Sequence, residues 1–324
     1  MNENLQELFD HYLPELDSHY SKTDVNLVER PLRAASFIVK NCVVEIKGDT
    51  TENFLEKTWF IAFYRCAERW YRDRYGDLLE RQLAGGIQSA VQVYEMWFAS
   101  NIPVRFSEPS GDGETIWVNF PTDVRDDEHP LDWIVEGPNL EKMNSSTKQK
   151  LVARVSKVAA LVRRIHLNLW VELSSSEQHG NSEHIKTHMA AAARYFADNS
   201  EQSAQLAIWE IHFAAEKAFK LWLEQQGLGT FMSHDLIELN SETAVAGSRG
   251  LVDPKILARL PSGTEAIRFR YAKLQAPSKN RQREIYDLTL EVIEKVTKQL
   301  KRKYHFNQNF SVQLKQPPWR GYEA

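Results

Sequence analysis

Residues 202–226 (QSAQLAIWEIHFAAEKAFKLWLEQQ) constrain the fold more than any other stretch of this 324-residue chain. At 100° per residue Leu206, Ile208, Trp209, Ile211, Phe213, Phe219, Trp222 and Leu223 point nearly all round the helix. A helix that is apolar on every side is stable only when other helices surround it, so it is the expected central helix of a bundle. Charges interrupt it. Glu216 and Lys220 stand four apart, can pair, and fall on a face shared with Trp209 and Phe213, where an unpaired charge is expensive.

The flanking sequence supplies the rest of a helical domain. Helices are expected over about 182–197, 202–226, 234–240, 254–260 and 281–303, with Gly227 and Gly229 as stop signals and Ser233-His234-Asp235-Leu236 as a capped start. Upstream, residues 3–19 have helical spacing, with Pro14 expected to bend or break the helix. A second helix is expected over 51–75, with an aromatic core stripe and a solvated face of Arg65, Glu68, Arg69, Arg72, Asp73 and Arg74. Beyond Gly85-Gly86, VQVYEMWF and PVRFSEPSGDGETIWVNFP alternate as short antiparallel strands. The proline-rich stretch 121–140 reads as a loop. Its acids Asp123, Asp126, Asp127 and Glu128, with His129, fit either a solvated loop or a divalent cation. A long helix is expected over 145–173, followed by a linker in SSSEQHGNSEH.

These elements give a mainly helical α+β protein: an α+β domain over 1–144, a long basic helix and linker over 145–180, a helical bundle over 181–305, and an extended tail over 306–324. No run approaches the ~18–20 apolar residues that span a bilayer, and the N-terminus lacks a signal peptide's basic start, so a cytoplasmic protein without a membrane partner is expected. Cys42 and Cys66 are too few for a disulfide scaffold and read as core thiols.

The order AEKAFK (215–220), glycine loop, Ser-His-Asp-Leu (233–236), Arg-Phe-Arg-Tyr (268–271) and final helix resembles the HEPN family of nucleotide- and RNA-associated helical bundles over roughly 120 residues. HEPN ribonucleases carry Arg, four to six residues, then His. None of the ten histidines here has that arginine. The resemblance is therefore to the non-cleaving branch. It implies a non-catalytic RNA- or nucleotide-binding protein of a prokaryotic stress or defence system, such as a toxin–antitoxin pair. It needs no cofactor, dimerises through the bundle as a homo-oligomer, and has ligand contacts at Glu216, Lys220, His234, Arg268 and Arg270. Two alternatives stay open: a ribonuclease with a non-standard site built on His234 with Arg268 or Arg270, and a scaffold for a protein partner. The same residues also have structural readings, as helix caps and bundle ion pairs.

Charge patterning adds a second candidate surface. The net charge of −4 divides into +8 for residues 253–324, from 15 Lys+Arg against 7 Asp+Glu, and −12 for the remainder. Lys150, Arg154, Lys157 and Arg164 share an ~80° arc of the 145–173 helix, with no acid between Glu141 and Glu172. That stripe either tracks phosphates or answers the acidic N-terminal half. Lys295, Lys298, Lys301, Arg302 and Lys303 form a second cluster at a helix end, where cations complement the dipole. No metal is assigned; His184 and His188, four apart on a helix, are weak candidates to share one with His179.

Overall fold

The computed structural model describes residues 3–23, 25–76, 78–79, 86–111, 115–173, 175–229, 231–245, 250–302 and 310–315. Within them the chain forms α1 (Glu3–Lys22), α2 (Arg30–Cys42), α3 (Phe60–Tyr75), β1 (Gly86–Val93), β2 (Met96–Pro103), β3 (Phe106–Pro109), β4 (Thr115–Phe120), α4 (Ser145–Asn168), α5 (Ser176–Ala197), α6 (Glu201–Gln225), α7 (Leu236–Val245), α8 (Pro254–Leu257), α9 (Gly263–Arg270), α10 (Lys279–Lys298) and β5 (Phe310–Lys315). The protein is mainly helical α+β, with β1-β2 as one sheet and β3-β4-β5 as another. Among the described residues, no helix is long and apolar enough to cross a membrane.

The chain divides into two compact units, residues 1–85, 107–118 and 312–324 in one and 86–106 and 119–311 in the other. The β1–β2 hairpin and the long basic helix α4 fall in the same unit as the helical bundle. The hairpin turns at Tyr94 (φ 55°) and pairs Gly86 with Pro103 through Val93 with Met96. It is anchored to helices by side chains distant in sequence. Trp97 stacks on Phe196 of α5 (4.4 Å, 21°) and donates through Nε1 to Gln282 of α10 (3.1 Å), while the Tyr286 hydroxyl accepts from the Ala90 amide (3.1 Å).

In the smaller unit α1–α3 enclose Phe9, Leu13, Ile38, Phe60, Cys66 and Tyr71. Burial pushes the Cys66 thiol up, which suits an inert core residue. Pro14, expected to bend or break the helix, does not break it: α1 is continuous from Glu3 to Lys22. Pro14 and Asp10 are exposed, so the carbonyl left by the missing N–H is on the solvent side of the helix, while Leu13 and Asp17 are buried. The buried Asp17 is held by Arg30 (2.9 Å), Arg74 (3.6 Å) and the Tyr75 hydroxyl. The single helix expected over 51–75 is instead a short 3-10 turn, Phe54–Glu56, entered through the left-handed Asn53 (φ 48°) and separated from α3 by the extended Lys57 (ψ 136°).

In the larger unit α5 packs along α6, and α10 packs against both α4 and α6, with Ile185, Ala214, Ala215, Phe219, Leu290 and Ile293 in the shared core. The expected linker is helical. Ser175 caps α5 by accepting from the Gln178 amide (3.2 Å), and the buried Asn181 donates to Glu224 of α6 (2.7 Å). Helix α6 starts at Ser200, which accepts from Ser203 N (3.1 Å), and stops at the left-handed Gly227 (φ 77°). Of the expected tail, Phe310–Lys315 is a strand; the rest lies outside the described residues, as does Lys303.

Candidate functional site

The interrupting charges of α6 organise the site. Glu216 is 0 % exposed, with Lys220 Nζ 2.8 Å from Oε1 and His234 Nδ1 3.0 Å from Oε2. With a carboxylate as its acceptor, Nδ1 of His234 carries the proton, and Nε2 lies on the other side of a ring that keeps 45 % exposure. The segment carrying His234 is fixed on three sides. Asp235 caps α7 by accepting from the Ile237 and Glu238 amides (2.9 and 3.2 Å). The buried His212 donates from Nε2 to the His234 carbonyl (2.9 Å). Gly263, opening α9 behind the Ser262–Glu265 capping box, comes so close that a Cβ there would lie 2.6 Å from that carbonyl oxygen. Ser233 and Asp235 thus do the capping expected of them, and His234 between them turns to Glu216.

Five rings and three cations continue the face of α6. Trp209 stacks on Phe213 (5.0 Å, 20°), Phe213 lies 6.5 Å from His234 and 4.7 Å from His188, Lys217 sits over Phe213 (5.1 Å), and Arg270 sits over Trp209 (5.1 Å). Arg270 also reaches Tyr271 (5.6 Å), which Lys273 covers as well (5.8 Å). The structure therefore brings Glu216, Lys220, His234 and Arg270 to one side of α6, with Glu216 buried and Lys220 largely covered beneath the exposed His234 and Arg270. Arg268 lies two residues, or about 200°, away from Arg270 on α9. It is exposed and makes no ring or ion-pair contact with the ladder among the described residues.

His188, a metal candidate, instead donates from Nδ1 to Glu210 (2.5 Å), with the His184 ring 5.9 Å away. His179 is bound to the Ser175 carbonyl (2.8 Å), and no group of three metal-ligating side chains assembles among the described residues. The basic stripe is largely answered, and from an unexpected direction. Arg154 pairs with Asp287 (3.2 Å) and Lys157 with Glu291 (2.7 Å), both on α10, and Arg164 pairs with Asp123 (3.2 Å); Lys150 is exposed. Of the second cluster, Lys301 Nζ donates to the Gln225 carbonyl (2.9 Å) and Arg302 to Asn168 (3.1 Å), closing the C-termini of α6 and α4. The acidic loop 121–134 is held from within by Glu128, which turns inward to Arg163 (2.5 Å), while Asp127 pairs with Arg125 (2.7 Å).

Sequence reasoning passed over His212, Gly263 and Lys273, and gave no role to Lys217 and Tyr271, which lie inside the quoted motifs. Burial holds the His212 imidazole below its ordinary pKa. Burial, aided by Lys186 and Arg105, pushes His166 on α4 down to about 4. Each remains neutral in the fold at pH values where an unfolded chain takes up a proton, so stability is full above about 6.5 and is lost as pH falls toward 4. For His166 alone the loss is about 3 kcal/mol at most. Urea unfolding at pH 7, 5.5 and 4.5 should show this decline in the wild type, and His166→Leu should flatten it.

No protein-family model, curated protein or solved structure matches this chain.

Proposed function

We propose that the protein is a non-catalytic, cytoplasmic RNA- or nucleotide-binding protein of the HEPN-like kind, and that its ligand lies along the ladder from Arg270 through Trp209 and Phe213 to His234. The observation that carries this reading is the convergence of residues from three separated motifs, Glu216 and Lys220, His234, and Arg270, around stacked rings on one face of α6. The two acids on this face, Glu210 and Glu216, are each engaged by a histidine, so Lys217, Arg270 and Lys273 are left to meet phosphate. Rings beside cations are what unpaired bases stack against.

The test is binding of short labelled RNA by wild type, Arg270→Glu and Lys150→Glu. Arg270→Glu should weaken binding roughly tenfold and lower the salt slope by about one or more. A larger loss from Lys150→Glu would move the site to α4. No binding, together with a stable dimer in solution, would favour the scaffold reading.

One observation favours a second reading, a ribonuclease. A buried carboxylate orients the exposed His234 ring through Nδ1, leaving Nε2 to exchange a proton with substrate. Cleavage by the wild type that His234→Ala abolishes without loss of folding would establish it.

A further inference from the structure

We infer that Tyr271, flanked by Arg270 and Lys273, is a stacking platform for an unpaired base, so that the ligand of this surface is single-stranded rather than duplex nucleic acid. This rests on the proposed binding reading and specifies its ligand. Tyr271 is 59 % exposed at the C-terminal end of α9 although it is a large aromatic residue. The turn that presents it is tight. Ala272 takes a left-handed φ of 51°, which costs an L-residue without glycine's freedom, and the Ala272 and Lys273 amides close back onto the Phe269 and Arg268 carbonyls (3.0 and 2.8 Å).

The turn aims Lys273 back at the ring of Tyr271, while Arg270 bridges that ring and the buried Trp209. A guanidinium held on two rings, with no ion-pair partner among the described residues, is oriented before any ligand arrives. The surrounding charge is of one sign in sequence. From residue 266 to residue 283 there are six Lys or Arg and no acid, Arg281 being turned to Glu284. A protruding ring between two cations fits a base stacked on its face with the flanking phosphates on Arg270 and Lys273. Duplex RNA keeps its bases inside the stack, offers such a ring nothing to cover, and would meet the cations alone.

The experiment compares a short single-stranded RNA with the duplex of the same strand, on wild type, Tyr271→Phe and Tyr271→Ala, at low salt. Single-strand affinity should fall about tenfold or more in Tyr271→Ala and stay near wild type in Tyr271→Phe, while any duplex binding is unchanged by either. Because the ring is exposed, both variants should fold, which a far-ultraviolet spectrum checks. If the wild type binds RNA and Tyr271→Ala binds the single strand equally well, the platform is overturned while the binding reading survives. If the wild type binds neither form, both fall.

Discussion

Arg163→Ala is expected to destabilise the larger unit by about 3–5 kcal/mol, a large fraction of what holds a domain folded. Arg163 is buried along its whole side chain. Its guanidinium donates to the carbonyls of Pro103 (2.8 Å) and Asp123 (2.7 Å) and to both oxygens of Glu128 (2.9 and 2.5 Å), and it lies over Phe106 (5.4 Å) and Trp133 (5.1 Å). One side chain thus ties α4 to the end of β2 and to the 121–134 loop. Alanine would leave the Pro103 and Asp123 carbonyls without this donor and a buried carboxylate with no counter-charge, held by the Arg125 amide (2.8 Å). Lysine restores the charge but not the fork, so Arg163→Lys should recover only part of the loss. Replacing both partners, as Arg163→Met with Glu128→Leu, should cost less than Arg163→Ala, because no charge is then stranded. Denaturant unfolding of the four proteins checks the ranking.

The second large effect belongs to Glu216. Glu216→Ala should cost about 2–4 kcal/mol, since it removes the counter-charge of the largely covered Lys220 and leaves a cavity inside α6. Glu216→Gln should cost less. It keeps an acceptor for His234 Nδ1 but cannot neutralise Lys220. The two variants also separate stability from function. In the glutamine variant His234 keeps its tautomer and orientation, whereas in the alanine variant the ring is free to turn. Nitrogen spectra of the imidazole should show Nδ1 protonated in wild type and Glu216→Gln, and a mixed population in Glu216→Ala.

What could be read in the sequence was local. The all-round apolar pattern of α6, its glycine stop and the Ser233–Asp235 cap all depend on residues within a few positions of each other, and all are where the pattern put them. The pairing of Glu216 with Lys220 followed from helical spacing in the same way. What could not be read depends on distant contacts. Residues 30–42 drew no expectation, and α2 buries Ala34, Ala35, Ile38 and Val39 in the first-unit core. The basic stripe looked unpaired because its acids, Asp287 and Glu291, lie more than 120 residues further on. The Ser/Gly/Asn content of 174–184 suggested a linker, yet Ser175 is a cap and Asn181 a buried donor, roles in which these residue types favour a helix. Tyr271 stood in the Arg-Phe-Arg-Tyr motif without a role, and Lys273 carried no signal, since only the turn at Ala272 brings the lysine back onto the tyrosine ring.

The central claim is that cations on the α6–α9 face hold an anionic, unpaired nucleic acid. It is tested most directly by measuring the affinity of the wild-type protein for a short single-stranded RNA across a salt series. Contacts from Lys217, Arg270 and Lys273 predict a log–log slope of about −2, with tight binding at low salt and little at high salt. Binding that is absent at low salt, or that does not change with salt, would contradict it.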